Sequence, residues 1–120
     1  MTKLFVKRVY ETVERKDGTR ILVDRLWPRG ISKGKAKVDL WLKELAPSHA
    51  LRRRFHGKPE DWSGFLAAYA KELRQPSPQA AIAELRKWLR QGRVTLLYAA
   101  RDENHNNALA LKLWLEGPRK

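Results

Sequence analysis

Three short segments of the chain carry the hydrophobic pattern of buried β-strands. Residues 4–10 and 20–26 are rich in β-branched, aliphatic and aromatic side chains, as strands usually are. Residues 94–99 are apolar on both faces except at Thr95, which is typical of a strand covered on both sides of a sheet. The pattern therefore predicts three strands, with residues 94–99 at the centre of the sheet.

Helical periodicity replaces this pattern between the second and third predicted strands. Pro59 suits the first turn of a helix, and apolar residues recur at helical spacing over residues 62–73. Ser77 and Pro78 are predicted to cap and begin the next helix, which Gly92 ends. The pattern thus predicts two amphipathic helices that pack against the sheet.

Three further helices are predicted from their capping residues. Short polar side chains accept hydrogen bonds from the free backbone N–H groups at the start of a helix. Asp39 is predicted to cap a short helix over residues 39–45, and Ser48 to cap the one that follows. Asp102 or Asn104 is expected to cap the last helix of the chain.

The order of these elements is strand, strand, helices, strand, helix. Helices that join the second and third strands favour a parallel pairing of the two, through a right-handed crossover. A chain of 120 residues is long enough for one core and too short for two. We therefore predict an α/β fold, a small and mostly parallel sheet with helices packed on it, in a single domain over residues 1–120.

The composition indicates a globular protein of the cytoplasm. Hydrophobic residues make up 42% of the chain, which argues against disorder. The chain has no cysteine, in keeping with a reducing compartment. It has neither an N-terminal apolar run of signal-peptide length nor one that approaches a membrane span. We expect no membrane partner, and the sequence leaves the oligomeric state open.

Positive charge is the strongest feature of the composition. The chain carries 26 Lys and Arg against 13 Asp and Glu, a formal charge of +13. The stretch from Arg20 to Lys58 holds eleven basic and three acidic residues, including an expected basic loop over residues 32–37. Such a field attracts nucleic acid or phosphorylated small molecules. The alternative is a basic surface that only keeps the protein in solution.

Polar clusters directly follow the two strands that are predicted to pair. The carboxyl ends of parallel strands lie at one edge of a sheet, where ligands of open α/β folds bind. After the second strand come Asp24, Arg25, Trp27 and Arg29. At the end of the third strand and beyond it come Tyr98, Arg101, His105, Asn106 and Asn107. We expect these side chains to converge on one pocket.

The residue types in these clusters suggest an anion site. Arginines hold phosphate or carboxylate through paired N–H donors, and the start of the last helix also favours an anion. Asp24 or His105 could carry a proton in catalysis. Each residue also has a structural interpretation: Asp24 could pair with Arg25, His105 could be solvated, and the asparagines could only bond the helix start.

Several signatures of catalysis are absent from the sequence. There is no glycine-rich phosphate loop, no Cys/His metal spacing and no nucleophile elbow. The three histidines, His49, His56 and His105, are too scattered to predict a metal site. We therefore predict no metal and no cofactor, and the sequence leaves open whether the protein catalyses a reaction.

Four motifs resemble the YeaO-like branch of the domain-of-unknown-function family 488. They are VDRLWPRG at residues 23–30, WLKELAPS at 41–48, VTLLYAARD at 94–102 and HNNA at 105–108. The resemblance covers nearly the whole chain. It implies a small cytoplasmic α/β protein and no established activity.

The chain departs from the broader family at two positions. An Asp-Val-Arg-x-x-Pro pattern of that family is matched only in part, by Asp24, Arg25 and Pro28. Where the broader family carries Cys-Ala-Glu and later Cys-His-Arg, this chain has Tyr-Ala-Ala at 98–100 and Asn-Asn-Ala at 106–108. A thiol-based or metal-based role therefore does not carry over.

Three functions fit the sequence. The first is binding of a phosphate-rich ligand, nucleic acid or nucleotide, at the carboxyl edge of the sheet, and the charge favours it. The second is an enzyme that acts on a small anionic substrate, with Asp24 or His105 as acid or base. The third is an interaction module for an acidic protein.

Overall fold

A four-stranded parallel sheet forms the centre of the protein. The computed structural model describes residues 3–117. The strands are β1 (Leu4–Arg8), β2 (Thr19–Leu22), β3 (Leu40–Trp41) and β4 (Val94–Tyr98). Their spatial order is β1-β4-β2-β3, and every neighbouring pair is parallel. The predicted α/β fold and the parallel pairing of the second and last strands are both confirmed.

The last strand occupies the centre of this sheet, as its apolar pattern predicted. Val94 of β4 aligns with Leu4 of β1 on one side and with Thr19 of β2 on the other. All five residues of β4 are buried, because the sheet is covered on both faces.

Five α-helices and three 3-10 turns surround the sheet within residues 3–117. The helices are α1 (Lys33–Ala36), α2 (His49–Phe55), α3 (Trp62–Leu73), α4 (Pro76–Gln91) and α5 (Asn107–Glu116). The 3-10 turns span Arg15–Asp17, Lys43–Leu45 and Pro59–Asp61. None of the helices in this part of the chain is long and apolar enough to cross a membrane.

Two segments between β2 and α2 differ from their predicted structure. The expected basic loop contains the short helix α1, whose first N–H groups are capped by the Ser32 hydroxyl, which accepts from the Lys35 N–H at 3.2 Å. The helix predicted over 39–45 is wrong except for its last residues, which form the 3-10 turn Lys43–Leu45. Residues 40–41 pair with β2 instead, and the Asp39 carboxylate accepts from the Arg20 N–H at 2.8 Å. The open edge of β2 overrides the local helical signal.

The starts of two helices are also displaced from the predicted positions. Helix α4 begins at Pro76, two residues before the predicted Pro78, since Pro76 already suits the first turn. Helix α5 is capped by Asn106, whose side chain accepts from the Leu109 N–H at 2.7 Å. Asp102 instead accepts two backbone N–H groups in the turn before the helix. The predicted Ser48 cap of α2 is confirmed.

Alternation along the strands divides the apolar residues between two cores. Ile21 and Leu96 point to the larger core, which α2 to α5 cover. Leu22 and Leu97, their chain neighbours, point to a smaller core on the opposite face. Ala36 of α1 belongs to this smaller core, together with the indoles of Trp27 and Trp41.

A buried ion network attaches the turn before β2 to the sheet. The Arg20 side chain is 3% exposed and donates to the Asp17 carboxylate at 2.6 Å and to the Ala36 carbonyl at 2.8 Å. Lys7 donates to the same carboxylate at 3.0 Å. Burial alone would raise the pKa of Asp17, but its hydrogen bonds outweigh this effect and lower the pKa. Arg20 therefore belongs to the interior and adds nothing to the basic surface.

Candidate functional site

A cavity of about 640 Å³ opens at the carboxyl edge of the sheet. Three segments form most of its walls: the turn after β2 (residues 24–29), the segment from α2 into α3 (residues 52–65), and the loop between β4 and α5 (residues 99–107). Tyr10, Ala46 and Pro47 complete the lining. Asp24 and Ala99, which follow the carboxyl ends of β2 and β4, belong to its lining, as expected for a ligand site in a parallel sheet.

Most of the predicted site residues line this cavity together. They are Asp24, Arg25, Trp27, Arg29, Arg101, His105, Asn106 and Asn107. Tyr98 does not line the cavity, because it lies at the end of β4 in the larger core and is 2% exposed. The shared location is a feature of the fold, whereas binding of a ligand by these residues stays a prediction.

The Asp24 carboxylate joins three elements at the base of the cavity. One oxygen accepts from the Ala99 N–H after β4 and the other from the Asn107 side-chain amide of α5, both at 3.0 Å. Asn107 also donates to the Val23 carbonyl at 3.0 Å. Burial raises the pKa of Asp24, and its two hydrogen bonds and the charge of Arg52 oppose this only in part.

The arginines of the cavity differ in how far they are already engaged. Arg25 donates to the Pro47 carbonyl at 3.2 Å and to the Ala46 carbonyl at 3.4 Å. The side chains of Arg29 and Arg101 are exposed and form no ion pair within residues 3–117. The suggested pairing of Asp24 with Arg25 is not formed, because Asp24 bonds to Asn107 and Ala99. Two guanidinium groups therefore remain available to an anion.

His105 and Asn106 are held by their neighbours before α5. The His105 ring lies 3.0 Å from the Asp102 carboxylate and contacts Trp62 edge to face, with ring centres 5.2 Å apart. Backbone N–H groups, first that of Asn104, and the His105 ring lower the pKa of Asp102. Asn106 is buried and caps the helix, so its structural interpretation holds.

Two indoles fix the turn that carries the candidate arginines. The Trp27 N–H donates to the Ile31 carbonyl at 2.8 Å, and the Trp41 N–H donates to the Asp24 carbonyl at 2.7 Å. The two rings meet edge to face, with centres 5.5 Å apart. Contacts of these two indoles in the smaller core thus hold the turn in place.

Several residues of the cavity wall were missed by the sequence analysis. These are Tyr10, Arg52, His56, Lys58, Trp62 and Phe65. In the sequence, Trp62 is only the first residue of the apolar stripe over residues 62–73, and Arg52 is one of three consecutive arginines. The spacing of Arg52 and Phe55 shows only that they lie one turn apart. No local signal shows that α2 and α3 pack over the carboxyl edge.

The donor set of the cavity suits anions better than metals. No group of three or more His, Asp or Glu side chains placed to hold a metal ion occurs among residues 3–117. Five cationic side chains line the cavity: Arg25, Arg29, Arg52, Lys58 and Arg101. The acidic residues of the lining are Asp24 and Asp102, and both are already hydrogen-bonded.

Comparisons with known proteins identify the family. A family model described as "Inactive DUF488-N3 subclade" matches residues 3–119. The uncharacterized protein YeaO of Escherichia coli K12 is 46% identical over 110 residues, which cover 91% of this chain and 93% of YeaO. The uncharacterized proteins Rv3073c of Mycobacterium tuberculosis and Mb3100c of Mycobacterium bovis are each 41% identical over 116 residues, covering 97% of this chain and 96% of theirs. No solved structure matches the chain significantly. The chain is therefore a YeaO-like member of the DUF488 family, in the subclade described as inactive.

Proposed function

We propose that the protein binds a phosphate-rich ligand, a nucleotide or nucleic acid, in the cavity at the carboxyl edge. The observation that carries this proposal is the excess of cations. Five Lys and Arg side chains line the cavity against two carboxylates, and the carboxylates already have donors within the protein. Phosphate oxygens would supply the missing acceptors, since charge-assisted bonds to arginine are among the strongest in proteins.

Arg29 and Arg101 are the best candidates for the first contact with phosphate. They come from two different segments, and neither has an ion-pair partner in the described part of the chain. Helix α5 begins at Asn107, which lines the same cavity, and its aligned peptide dipoles add positive potential. Both guanidinium groups and the start of helix α5 would attract an anion bound in the cavity.

The aromatic wall of the cavity favours a ligand that also carries rings. Trp62 and Phe65 stack with centres 5.6 Å apart, and both line the cavity beside the cations. A volume of about 640 Å³ lies within the range of small-molecule sites. A nucleotide combines phosphate with a ring system, so it suits both parts of the lining.

A catalytic role for Asp24 is the second candidate function, favoured by its raised pKa in a cavity. Three observations weigh against it. Both carboxylate oxygens already accept hydrogen bonds, His105 is paired with Asp102, and the matching family model is described as inactive. The acidic-protein hypothesis has no contact of its own that favours it.

The proposal is tested by titration with ATP, followed through tryptophan fluorescence because Trp27 and Trp62 line the cavity. Arg29→Ala and Arg101→Ala should each weaken ATP binding at least about tenfold, which is the effect of losing one charge-assisted hydrogen bond. Their unfolding free energies should change by less than about 1 kcal/mol, as at exposed positions.

Arg90→Ala is the matched control, since Arg90 is exposed on α4 and does not line the cavity. It should bind ATP as the wild type does. If the wild type binds neither ATP nor an oligonucleotide even at low ionic strength, or if both cavity variants bind as the wild type does, the proposal is wrong. A loss of stability in Arg101→Ala with unchanged binding would support the structural role of this cluster.

A further inference from the structure

We propose that the ligand is single-stranded nucleic acid, which occupies the cavity and continues over helix α1. This inference rests on the proposed function and extends it from a phosphate-bearing molecule to a polymer. It follows from charge and aromatic groups that lie outside the cavity and that a mononucleotide would not reach.

Positive charge extends beyond the cavity across its aromatic rim. The Lys33 ammonium lies 6.0 Å from the centre of the Trp27 ring, and the Arg8 guanidinium lies 5.0 Å from that of Tyr10. Both rings line the cavity, whereas the two cations lie outside its lining. The charge therefore continues past the walls on the sides of α1 and β1.

Helix α1 carries further positive charge outside the cavity lining. Lys33 and Lys35 belong to the helix and Lys37 follows it, and all three side chains are exposed. They make no ion pair within residues 3–117. With a rise of about 1.5 Å per residue, their backbones span about 6 Å, and Lys35 projects from a different side of the helix than Lys33. We call Lys33, Lys35 and Lys37 the lysine ridge.

The ridge is fixed to the site through the smaller core. Ala36 of the same helix is fully buried against that core, which also contains Trp27 and Trp41. Lys43 adds a further cation, 4.3 Å from the centre of the Trp41 ring. The ridge therefore keeps its position relative to the cavity, as a surface that follows a phosphate backbone requires.

The rim of the cavity favours unpaired bases over a duplex. Leu26 is 71% exposed and Tyr10 is 41% exposed, and both belong to the cavity lining. Bases of a single strand gain free energy by stacking on an aromatic ring such as Tyr10 and by apolar contact with Leu26, while positive charge holds the backbone. In a duplex the bases are stacked on one another, so Leu26 and Tyr10 would meet only sugar and phosphate.

The test uses fluorescence anisotropy with labelled oligothymidylate and oligouridylate of about twelve nucleotides, within the site sizes of single-strand surfaces. The wild type should bind at least one of them more tightly than it binds ATP. The logarithm of the binding constant should fall linearly with the logarithm of the salt concentration. We call the size of this dependence the salt slope, and it should be about 0.7 for each phosphate that is neutralised.

The lysine ridge is tested with Lys33→Ala combined with Lys35→Ala. In the double variant the salt slope should be smaller by about 1.4, because two fewer phosphates are neutralised. The affinity for ATP should stay within about twofold of the wild type, because neither lysine lines the cavity. Lys71→Ala with Lys87→Ala removes the same charge from exposed positions of α3 and α4 outside the cavity lining and should leave the slope unchanged. Thermal unfolding checks that each variant folds.

The contact with bases is tested separately with Leu26→Ala. This variant should bind the oligonucleotide several-fold more weakly. Its salt slope should equal that of the wild type, since no charge is lost. A matched duplex should bind more weakly than the single strand at the same salt concentration.

Four results would overturn the inference. ATP and the oligonucleotides could bind equally, with the slope of the double variant unchanged; the site would then be a nucleotide site and the proposed function would stand. Duplex could bind as tightly as single strand. Polyglutamate could bind as tightly as the oligonucleotides, which would point to an acidic protein. Finally, neither ATP nor oligonucleotide could bind, and the proposed function would fail as well.

Discussion

Asp24 shows how one side chain can serve the fold and the candidate site together. Its carboxylate bonds to residues 75 and 83 positions further along the chain, Ala99 and Asn107. It is half-buried, and the net effect of its surroundings is to raise its pKa. A carboxylate whose charge is unfavourable in the folded state therefore links the ends of β2 and β4 to the start of α5.

Asp24→Asn should remove a pH dependence of stability. Because the folded pKa is raised above the ordinary value of 3.8, the folded state binds this proton more tightly than the unfolded state does. Stability from this group is thus complete at low pH and is lost as pH rises through the folded pKa. The unfolding free energy of the wild type minus that of Asp24→Asn should therefore fall as pH rises from the ordinary pKa to the raised pKa of the folded state.

Urea unfolding at a series of pH values, followed by tryptophan fluorescence, measures this difference. Absolute stability of the variant should be lower at all pH values, since an amide at position 24 cannot accept from both Ala99 and Asn107. A difference that increases with pH would mean that the pKa of Asp24 is lowered in the folded state.

Arg20→Ala should be among the most destabilising changes in the chain. It leaves the buried Asp17 carboxylate with one cation fewer and leaves the Ala36 carbonyl without its donor. Breaking a buried ion pair costs about 3–5 kcal/mol, and chemical denaturation measures this loss. Arg15→Ala, an exposed arginine in the preceding turn, is the control and should change stability by less than about 0.5 kcal/mol. A mild effect of Arg20→Ala would mean that Lys7 alone is enough to compensate the buried Asp17 carboxylate.

At the scale of elements, predictability depends on how much of the signal is local. Strand β4 and helix α3 could be predicted because their own apolar patterns identify them. Helix α1 has four residues and strand β3 has two, so neither has a periodic pattern of useful length. Contacts with the smaller core and with the edge of β2 determine them, and these are not visible in the local sequence.

Gly18 limits how the turn before β2 approaches β4. Its φ of 67° is unfavourable for other residues, and a Cβ there would overlap the carbonyl oxygen of Arg93, which Thr19 uses as its acceptor. Gly18→Ala should therefore cost at least about 2 kcal/mol, measured by urea unfolding. Gly34→Ala is the matched control, because a Cβ in α1 meets nothing within 4 Å and alanine favours a helix by up to about 1 kcal/mol. Equal effects of the two changes would contradict this account of the turn.

At the scale of the whole molecule, the sequence predicted the part of the candidate site that follows the strands, but not the part that α2 and α3 contribute. The polar clusters after β2 and β4 could be assigned to one edge, because parallel strands place their carboxyl ends together. Arg52, Trp62 and Phe65 could not be assigned. Their place in the cavity depends on how α2 and α3 pack over that edge, which is a property of the assembled core.

The formal charge of +13 predicts a response of the whole protein to salt. Mutual repulsion of surface cations opposes the compact state, and at 0.1 M salt it is screened beyond about 10 Å. The thermal unfolding midpoint should therefore rise when sodium chloride is added at low ionic strength. Sodium phosphate at equal ionic strength should raise it further if the cavity binds phosphate. A midpoint that falls with chloride would contradict the first expectation, and equal midpoints in the two salts the second.

The place of β4 in the sheet has a consequence for the order of events during synthesis. The strand lies between β1 and β2, yet it is the last of the four to leave the ribosome. A nascent chain that ends before Val94 has no partner for β1, and its β2 has a partner only in the two residues of β3. Unpaired strand edges and apolar faces promote aggregation. Assembly of the sheet must therefore wait for residues 94–98, and the cavity cannot exist before Ala99 and Asn107 reach Asp24.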